Sequence, residues 1–265
     1  MMDSMIIGKY VPGDSPVHRM DPRAKLIMIF AFVFIVFFAN NIFTYILLGL
    51  YTFLIVFMTK LPIRFLIRGL KPVLWIILFT FFLHLIVTKE GNVLLDLGFF
   101  KIYEEGLIQG IYISLRFLYL ILITTILTLT TTPIEITDGM ESLLGPLKKV
   151  GLPVHELALM MSISLRFIPT LMEETDKILK AQMARGVDFT GGPIKDRFKS
   201  IVPLLVPLFI SAFKRAEELA TAMEARGYRG GEGRTKLRQL QWGLADTTFL
   251  VFLVMLGLAL LYLRT

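Results

Sequence analysis

The chain has 265 residues, of which 55% are hydrophobic and 18% charged, with a formal net charge of +7 and a mean hydropathy of +0.70. Soluble domains carry roughly a quarter charged residues. This composition, with its apolar residues clustered in long runs, therefore excludes an ordinary soluble domain and indicates an integral membrane protein. No cysteine is present, which excludes disulfides, thiol catalysis and cysteine-ligated metals.

The remaining chemistry-bearing residues do not form a catalytic or metal-binding pattern. The three histidines, His18, His84 and His155, lie far apart in the sequence without metal-ligand spacing. We therefore expect no catalytic residue, no metal and no cofactor. In a membrane protein, positive charge reflects basic cytoplasmic loops, so we expect a lipid bilayer and no nucleic acid among the partners.

Five apolar stretches are predicted to cross the membrane, since a spanning helix needs roughly 20 apolar residues, within about 17–25. In chain order these spans are Leu26–Ala39, Ile42–Met58, Pro72–Thr88, Leu107–Thr132 and Leu244–Leu263. The first is short, and only two asparagines separate it from the second, which predicts a tight hairpin. Because backbone polar groups in lipid must be satisfied within each segment, the spans are helices and the fold class is an all-α membrane protein.

Lysine and arginine counts predict the orientation of these spans. Four basic residues precede the first span and four follow the second, whereas the Asn40-Asn41 turn has none and the 89–105 loop has two among four acids. The basic residues of the first two regions are Lys9, Arg19, Arg23, Lys25, Lys60, Arg64, Arg68 and Lys71. We therefore predict a multi-pass protein of the cell membrane with a cytoplasmic N-terminus and an external C-terminus.

One basic residue, Arg116, falls inside the fourth predicted span. A charged residue within a membrane costs about 2.5–3.5 kcal/mol on insertion scales and usually faces protein rather than lipid. Two interpretations stay open: Arg116 snorkels or pairs inside the helix bundle, or it contacts a partner subunit.

The segment between the fourth and fifth spans divides the chain into 1–132, 133–243 and 244–265. Its roughly 110 residues are too many for an ordinary connection, which indicates a functional element. One long helix is predicted from His155 to about Ala184 and another from about Phe198 to Ala225. Each is apolar in its first half and charged in its second. The apolar run of the second helix is too short for a span, so we expect it to be buried at the membrane face or against the other helix.

Both predicted helices end in the same pattern, Ala-x-x-Ala-Arg-Gly. The tripeptides are Ala184-Arg185-Gly186 and Ala225-Arg226-Gly227. An arginine at a helix C-terminus complements the helix dipole by about 0.3–1 kcal/mol, and glycine suits a helix C-cap. The dipole does not require the repeated alanines, however. Small neighbours let another protein approach and leave the guanidinium available for a carboxylate, so the repeat favours two equivalent docking sites.

At this point the sequence resembles a known family, the transmembrane (T) subunit of energy-coupling factor transporters, EcfT/CbiQ. The resemblance covers nearly the whole chain and rests on five motifs. These are DPRAKL (Asp21–Leu26), GLIQGIYISLRF with LTLTTTP in the fourth span, LRFIPTLMEE (Leu165–Glu174) and the two ARG tripeptides.

The resemblance implies a scaffold rather than an enzyme. Long cytoplasmic coupling helices would cross between the fourth and fifth spans, and their ARG ends would dock in two ABC-type ATPase subunits. The membrane part would hold a substrate-binding S component for a vitamin or metal ion. The chain contains no GxxxxGK[ST] phosphate-binding loop, so nucleotide energy would come from these partners.

Alternatives remain for the transported substrate and for the function class. The T subunit is either a shared module for vitamin uptake or a dedicated cobalt/nickel-uptake subunit. An autonomous secondary transporter would have two repeated membrane halves, which five spans and a long cytoplasmic insert do not provide. An intramembrane enzyme would need clustered histidines or acids within the spans, and His84 is the only histidine in a predicted span.

Overall fold

The structure is a computed structural model that describes residues 10–96, 101–187, 189, 191, 194–230 and 239–264. The described residues are mostly helical with two short strands, which confirms the predicted all-α class. The helices are α1 (Pro16–Arg19), α2 (Pro22–Ile35), α3 (Ile42–Thr59), α4 (Ile63–Val87), α5 (Glu104–Thr130), α6 (Pro133–Leu144), α7 (Val154–Ala184), α8 (Ile194–Ala225) and α9 (Leu244–Tyr262). Two short antiparallel strands, β1 (Val93–Asp96) and β2 (Lys101–Tyr103), form a hairpin between α4 and α5.

The chain divides into two compact units. The first unit comprises Met1–Leu143 with Gln239–Thr265, and the second comprises Leu144–Arg238. The segments 1–132, 133–243 and 244–265 divide the chain by membrane topology instead, and that division stays a prediction.

Five of the described helices are long and apolar enough to cross a membrane, namely α3, α4, α5, α7 and α9. The number of candidate spans equals the predicted five, but α7 is among them and the first predicted span is not. The first predicted span corresponds to α2 followed by a 3₁₀ turn, Val36–Phe38. At about 1.5 Å per α-helical and 2.0 Å per 3₁₀ residue, these two elements cover about 27 Å. The helix alone is too short to qualify, whereas α7 qualifies through its apolar first half.

Helix α4 begins nine residues before its predicted span because Pro72 lies inside the helix rather than at its start. Membrane helices tolerate an internal proline because neighbouring groups satisfy the freed backbone carbonyl. The observed α4 therefore continues the apolar span into the basic segment before it.

The core of the first unit is built around α2. Ala24, Met28 and Phe32 of α2 and Val36 of the following 3₁₀ turn repeat every four positions and are buried, so they lie on one face. This face packs with buried residues of α3, α5 and α9, including Tyr45, Leu48, Ile123, Ile126, Leu253 and Leu256. The short helix α2 is thus central to the bundle.

Glycine permits the close approach of α3 and α5 within this core. A Cβ atom added at Gly49 would lie 2.7 Å from the hydroxyl oxygen of Tyr119. That hydroxyl donates a hydrogen bond of 3.3 Å to the carbonyl of Tyr45. Small residues at such contacts are typical of membrane helix packing, and a larger side chain at Gly49 would push the two helices apart.

Arg116 lies inside the helix bundle. Its guanidinium donates hydrogen bonds to the carbonyl of Ala39 (3.2 Å) and the hydroxyl of Tyr45 (2.9 Å). It also lies 5.2 Å from the centroid of the Phe37 ring. Ala39 follows the 3₁₀ turn that ends the α2 region, where helix carbonyls lack internal partners. Arg116 therefore satisfies a helix end within this chain.

We expect Arg116→Gln to lower the melting temperature of the purified chain in detergent, because a hydrogen bond to a charged group contributes about 1.5–3 kcal/mol. The measurement is thermal unfolding of the wild type, Arg116→Gln, Tyr45→Phe and the double variant. The effect of Tyr45→Phe should shrink when Arg116 is already replaced. Additive effects, or an unchanged melting temperature, would contradict the assigned pairing, and Lys148→Gln serves as the control for loss of an exposed charge.

Candidate functional site: two arginine helix ends and a buried polar cluster

The two Ala-Arg-Gly tripeptides end α7 and α8 with the same backbone geometry. At the end of α7, the N–H of Val187 donates to the carbonyl of Gln182 (3.1 Å) and that of Gly186 to Met183 (3.0 Å). At the end of α8, the N–H of Tyr228 donates to Met223 (3.0 Å) and that of Gly227 to Glu224 (2.9 Å). At each helix end the two hydrogen bonds form a Schellman motif, and the arginine is the C-cap residue.

The glycines are required by backbone conformation rather than by space. Gly186 has φ +89° and Gly227 has φ +72°, and a Cβ atom added at either would meet nothing within 4 Å. Left-handed φ values cost other L-residues roughly 1–2 kcal/mol. Each glycine therefore fixes how the chain turns away after the arginine.

Both arginines are exposed at the helix ends, together with the alanine before and the glycine after each of them. Within the part of the chain that the structure describes, neither Arg185 nor Arg226 forms an ion pair or a side-chain hydrogen bond. Their guanidinium groups are therefore presented for an external acceptor, and the flanking residues add little bulk around them.

Helices α7 and α8 run antiparallel. The amide of Gln182 contacts the carbonyl of Pro203 (3.4 Å), while Glu174 accepts hydrogen bonds from Ser211 and from Arg215, the latter at 3.2 Å. Residue numbers thus fall along α7 as they rise along α8. Arg185 consequently lies at one end of the pair and Arg226 at the other, on the order of 30 Å apart at 1.5 Å per residue.

A groove runs between α7 and α8. Ile163, Phe167 and Leu171 line it from α7, and its α8 side consists of Ala212, Arg215, Ala216, Leu219, Ala220 and Met223. The Glu174–Arg215 ion pair links the two helices beside this groove.

The apolar run of α8 is largely exposed within this chain. Val202, Val206, Phe209, Ile210 and Phe213 have exposed fractions of 52–73%. These side chains are therefore not buried against α7, and burial at the membrane face, the other alternative, stays a prediction. The exposed side chains form a continuous apolar face that requires a partner or lipid.

A second group of functional interest lies inside the first unit, where three segments distant in sequence meet. Asp21, Lys25 and Asp246 are each 3–4% exposed. Asp246 accepts hydrogen bonds from the backbone N–H of Asp21 (3.0 Å) and of Gly243 (2.7 Å). Lys25 donates to the carbonyls of His18 (3.2 Å) and Thr130 (3.0 Å) and to the hydroxyl of Thr131 (3.1 Å). We name these three residues the buried polar cluster.

Arg23 extends the buried polar cluster to the two chain segments that lead to the second unit. Its guanidinium contacts Asp21 (2.8 Å), the hydroxyl of Ser142 (3.4 Å) and the carbonyl of Leu240 (3.3 Å), and it lies 5.9 Å from the centroid of the Trp242 ring. Burial raises the pKa of Asp21, but hydrogen bonds from the side chain and backbone of Arg23 outweigh it and leave the pKa lowered. Asp21 is thus held as a carboxylate.

The sequence contains only partial signals for these contacts. DPRAKL places Asp21 at a helix N-cap, where aspartate is favoured, and Asp246 is evident as a carboxylate at the edge of the last span. Their hydrogen bond joins residues 225 positions apart, a pairing that no local pattern indicates. Among the described residues, no group of three or more histidines, aspartates and glutamates could hold a metal ion.

Comparisons with known proteins agree on one family. The model of the CbiQ family, described as a cobalt transport protein, matches residues 13–237. The energy-coupling factor transporter transmembrane protein EcfT of Bacillus subtilis is 72% identical over 264 residues, covering 100% of both chains. Proteins of the same name from Exiguobacterium sibiricum and Listeria innocua are 60% and 58% identical, with coverage of 98% and 100% of this chain and 99% and 100% of their own. The chain therefore belongs to the EcfT/CbiQ family of energy-coupling factor transporter transmembrane proteins.

Proposed function

We propose that this chain couples two ABC-type ATPase subunits to a substrate-binding S component in an importer for a vitamin or another micronutrient. The observation that carries the proposal is the pair of identical Schellman-capped arginines at opposite ends of the antiparallel helices α7 and α8. Two equivalent, separated and exposed cations suit two copies of one type of partner surface. A carboxylate in a groove of each ATPase would accept the forked guanidinium.

Movement of the two ATPases would reach α7 and α8 as a force on two separate helix ends. The Glu174–Arg215 ion pair and the hydrogen bond from Ser211 to Glu174 would keep the two helices moving together. The chain leaves the first unit after Leu143 and returns at Gln239. Arg23 contacts Ser142 and Leu240, which lie next to the two positions where the chain passes between the units. It is therefore placed to transmit force from the coupling helices into the membrane helices.

The exposed apolar face of α8 is the surface that we assign to the S component. On α7, Leu157, Met160 and Met161 are also 45–55% exposed. Flexible methionines suit a surface that repacks against more than one partner. A protein that reorients during transport would need such a surface.

The proposed topology places the chain in the cell membrane with α2, α3, α4, α5 and α9 as spans and a cytoplasmic N-terminus. The basic segments before α2 and before residue 72 support this orientation. The charged second half of α7 and its pairing with α8 support a cytoplasmic position for both coupling helices, although the composition of α7 alone would permit a span.

A dedicated cobalt/nickel-uptake role is the second candidate, because the matching family model is described by cobalt transport. The name shared by the similar relatives specifies no substrate. Uptake of labelled vitamin or labelled Co²⁺ into vesicles, with the S component encoded nearest to this chain, distinguishes the two.

We expect Arg185→Glu and Arg226→Glu each to weaken retention of the ATPases, and the double variant to lose them. Truncating one side of a desolvated charge pair costs about 2–5 kcal/mol, and charge reversal adds repulsion. The measurement is co-purification of the ATPases together with ATP-driven uptake in vesicles. Lys148→Glu, an exposed reversal in the same unit, should behave as wild type. Normal assembly and uptake by the double variant would leave the arginines as helix caps only.

The conformation of the two glycines gives a separate test of the helix ends. We expect Gly186→Val with Gly227→Val to reduce ATPase retention, because a β-branched residue resists left-handed φ values. Gly186→Asn with Gly227→Asn should preserve much of it, since asparagine tolerates this conformation. Equal retention by both double variants would show that the turn after each arginine does not matter for docking.

For Arg23→Gln we expect uptake to fall while the ATPases remain bound, because the substitution removes the charge that holds Ser142, Leu240 and Asp21 without changing the helix ends. The measurement is the ratio of transport to ATP hydrolysis in reconstituted complexes. Arg19→Gln is the matched control, since Arg19 pairs only with exposed Asp14 among the described residues. Unchanged coupling in Arg23→Gln, with an intact melting temperature, would exclude a role in force transmission.

A further inference from the structure

A basic face occupies the first two and a half turns of α4. Arg64, Arg68 and Lys71 follow one another at spacings of four and three residues, which places them on one side of the helix. All three are exposed, and within the described part of the chain no hydrogen bond or ion pair joins them to another residue. Trp75 lies on the same face one turn further along and is 77% exposed.

The position of Arg64, the second residue of α4, is unfavourable for the helix by itself. Positive charge in the first turn of a helix opposes the helix dipole, and α4 has no acidic residue in its first turn and no side-chain hydrogen bond at its N-cap, Pro62. The folded chain supplies no described counter-charge. An external anion would remove this electrostatic cost.

A groove of about 770 Å³ lies beside Arg68, between the N-terminal segment, α4 and α5. Its polar lining comes from Tyr10, Arg68, Thr124, Thr125 and Thr128, and no described residue that lines it is a carboxylate. Its apolar lining comes from Val11, Phe65, Val73, Ile121 and Leu129. One cation and several hydroxyl groups are thus combined with an apolar wall.

The predicted spans place one part of the groove inside the membrane and another part at the membrane surface. Val73 belongs to the predicted span that begins at Pro72, whereas Arg68 and Tyr10 lie in the segments before the spans. Tryptophan and tyrosine favour the membrane interface. Gly69 lets α4 approach α5 at the base of the groove, where an added Cβ would lie 2.7 Å from Thr125 Cγ2.

We propose that the groove and the basic face of α4 bind an anionic phospholipid. Its phosphate would lie against Arg68 and the neighbouring cations, with the hydroxyl of Tyr10 as a further donor, and one acyl chain would lie along Val73, Phe65 and Ile121. Basic pockets at the cytoplasmic ends of membrane helices bind lipid headgroups in this way. The combination of unpaired cations with an apolar wall at membrane depth favours a lipid over a protein segment. The proposal does not depend on ATPase docking.

Trp75 provides a local reporter because the chain contains two tryptophans, Trp75 and Trp242. In a Trp242→Phe background, the purified full-length chain is titrated in neutral micelles with phosphatidylglycerol or phosphatidylcholine brominated on the same acyl chain. We expect phosphatidylglycerol to quench Trp75 at lower concentration. Each surface cation contributes about a fivefold preference, so Arg64→Gln with Arg68→Gln should lower the preference about 25-fold.

Matched variants separate the site from general charge attraction. Lys148→Gln with Lys149→Gln removes two exposed cations elsewhere and should keep the preference for phosphatidylglycerol. Thr124→Leu with Thr128→Leu fills the groove and should lower the preference while the cations remain. Added inorganic phosphate should not displace the lipid.

Three results would overturn the proposal. Equal quenching by the two lipids would show that no anionic lipid site exists beside Trp75. Retained preference in the groove-filled variant would assign the binding to the basic face alone. Full displacement by inorganic phosphate would identify an anion site without lipid selectivity.

Discussion

The hydrogen bonds that Asp246 accepts from the backbone of Asp21 and Gly243 join the beginning of α2 to the beginning of α9 in the interior of the first unit. A buried carboxylate is stable only when its oxygens are paired, so this contact constrains the chain on both sides of it. Lys25, one turn along α2, bonds in the same region to the end of α5. The beginnings of α2 and α9 and the end of α5 are therefore joined at the same end of the bundle, close to Ser142 and Leu240, where the chain leaves the first unit and returns to it.

The proposed coupling role would use the contacts of Arg23. A force on α7 and α8 that travels along the backbone would pass through the two segments that join the units, after Leu143 and before Gln239. Arg23 anchors both through Ser142 and Leu240 and is itself held by the Asp21 carboxylate. In the second unit, the Schellman motifs give the backbone at Arg185 and Arg226 the same defined conformation, so under the proposed docking a displaced partner would move the helix rather than a flexible tail.

The exposed surfaces of the chain differ in their chemical character. The outward faces of α3, α4 and α9 expose large apolar side chains, as expected of helices in lipid, while α8 exposes a continuous apolar face on a helix that also carries a charged half. The basic face of α4 adds a surface with both charge and apolar area. Much of this apolar surface is left for lipid or other subunits to cover, and the buried core of the first unit lies around α2.

The sequence by itself determined the all-α class, the bounds of α3, α7 and α9 to within one or two residues, and the two Ala-Arg-Gly helix ends, because apolar run length and C-cap glycine are local properties. It placed the third span at Pro72–Thr88 because the residues before Pro72 are basic and the apolar run begins there, whereas α4 already begins at Ile63 and continues through Pro72. Only the tertiary structure decided that α7 and α8 run antiparallel with their arginines at opposite ends, that Arg116 satisfies the end of the α2 region, and that Asp21 meets Asp246. Each of these features depends on which segments become neighbours in space. A contact such as that between Asp21 and Asp246, which lie 225 positions apart, leaves no periodic signal in the sequence.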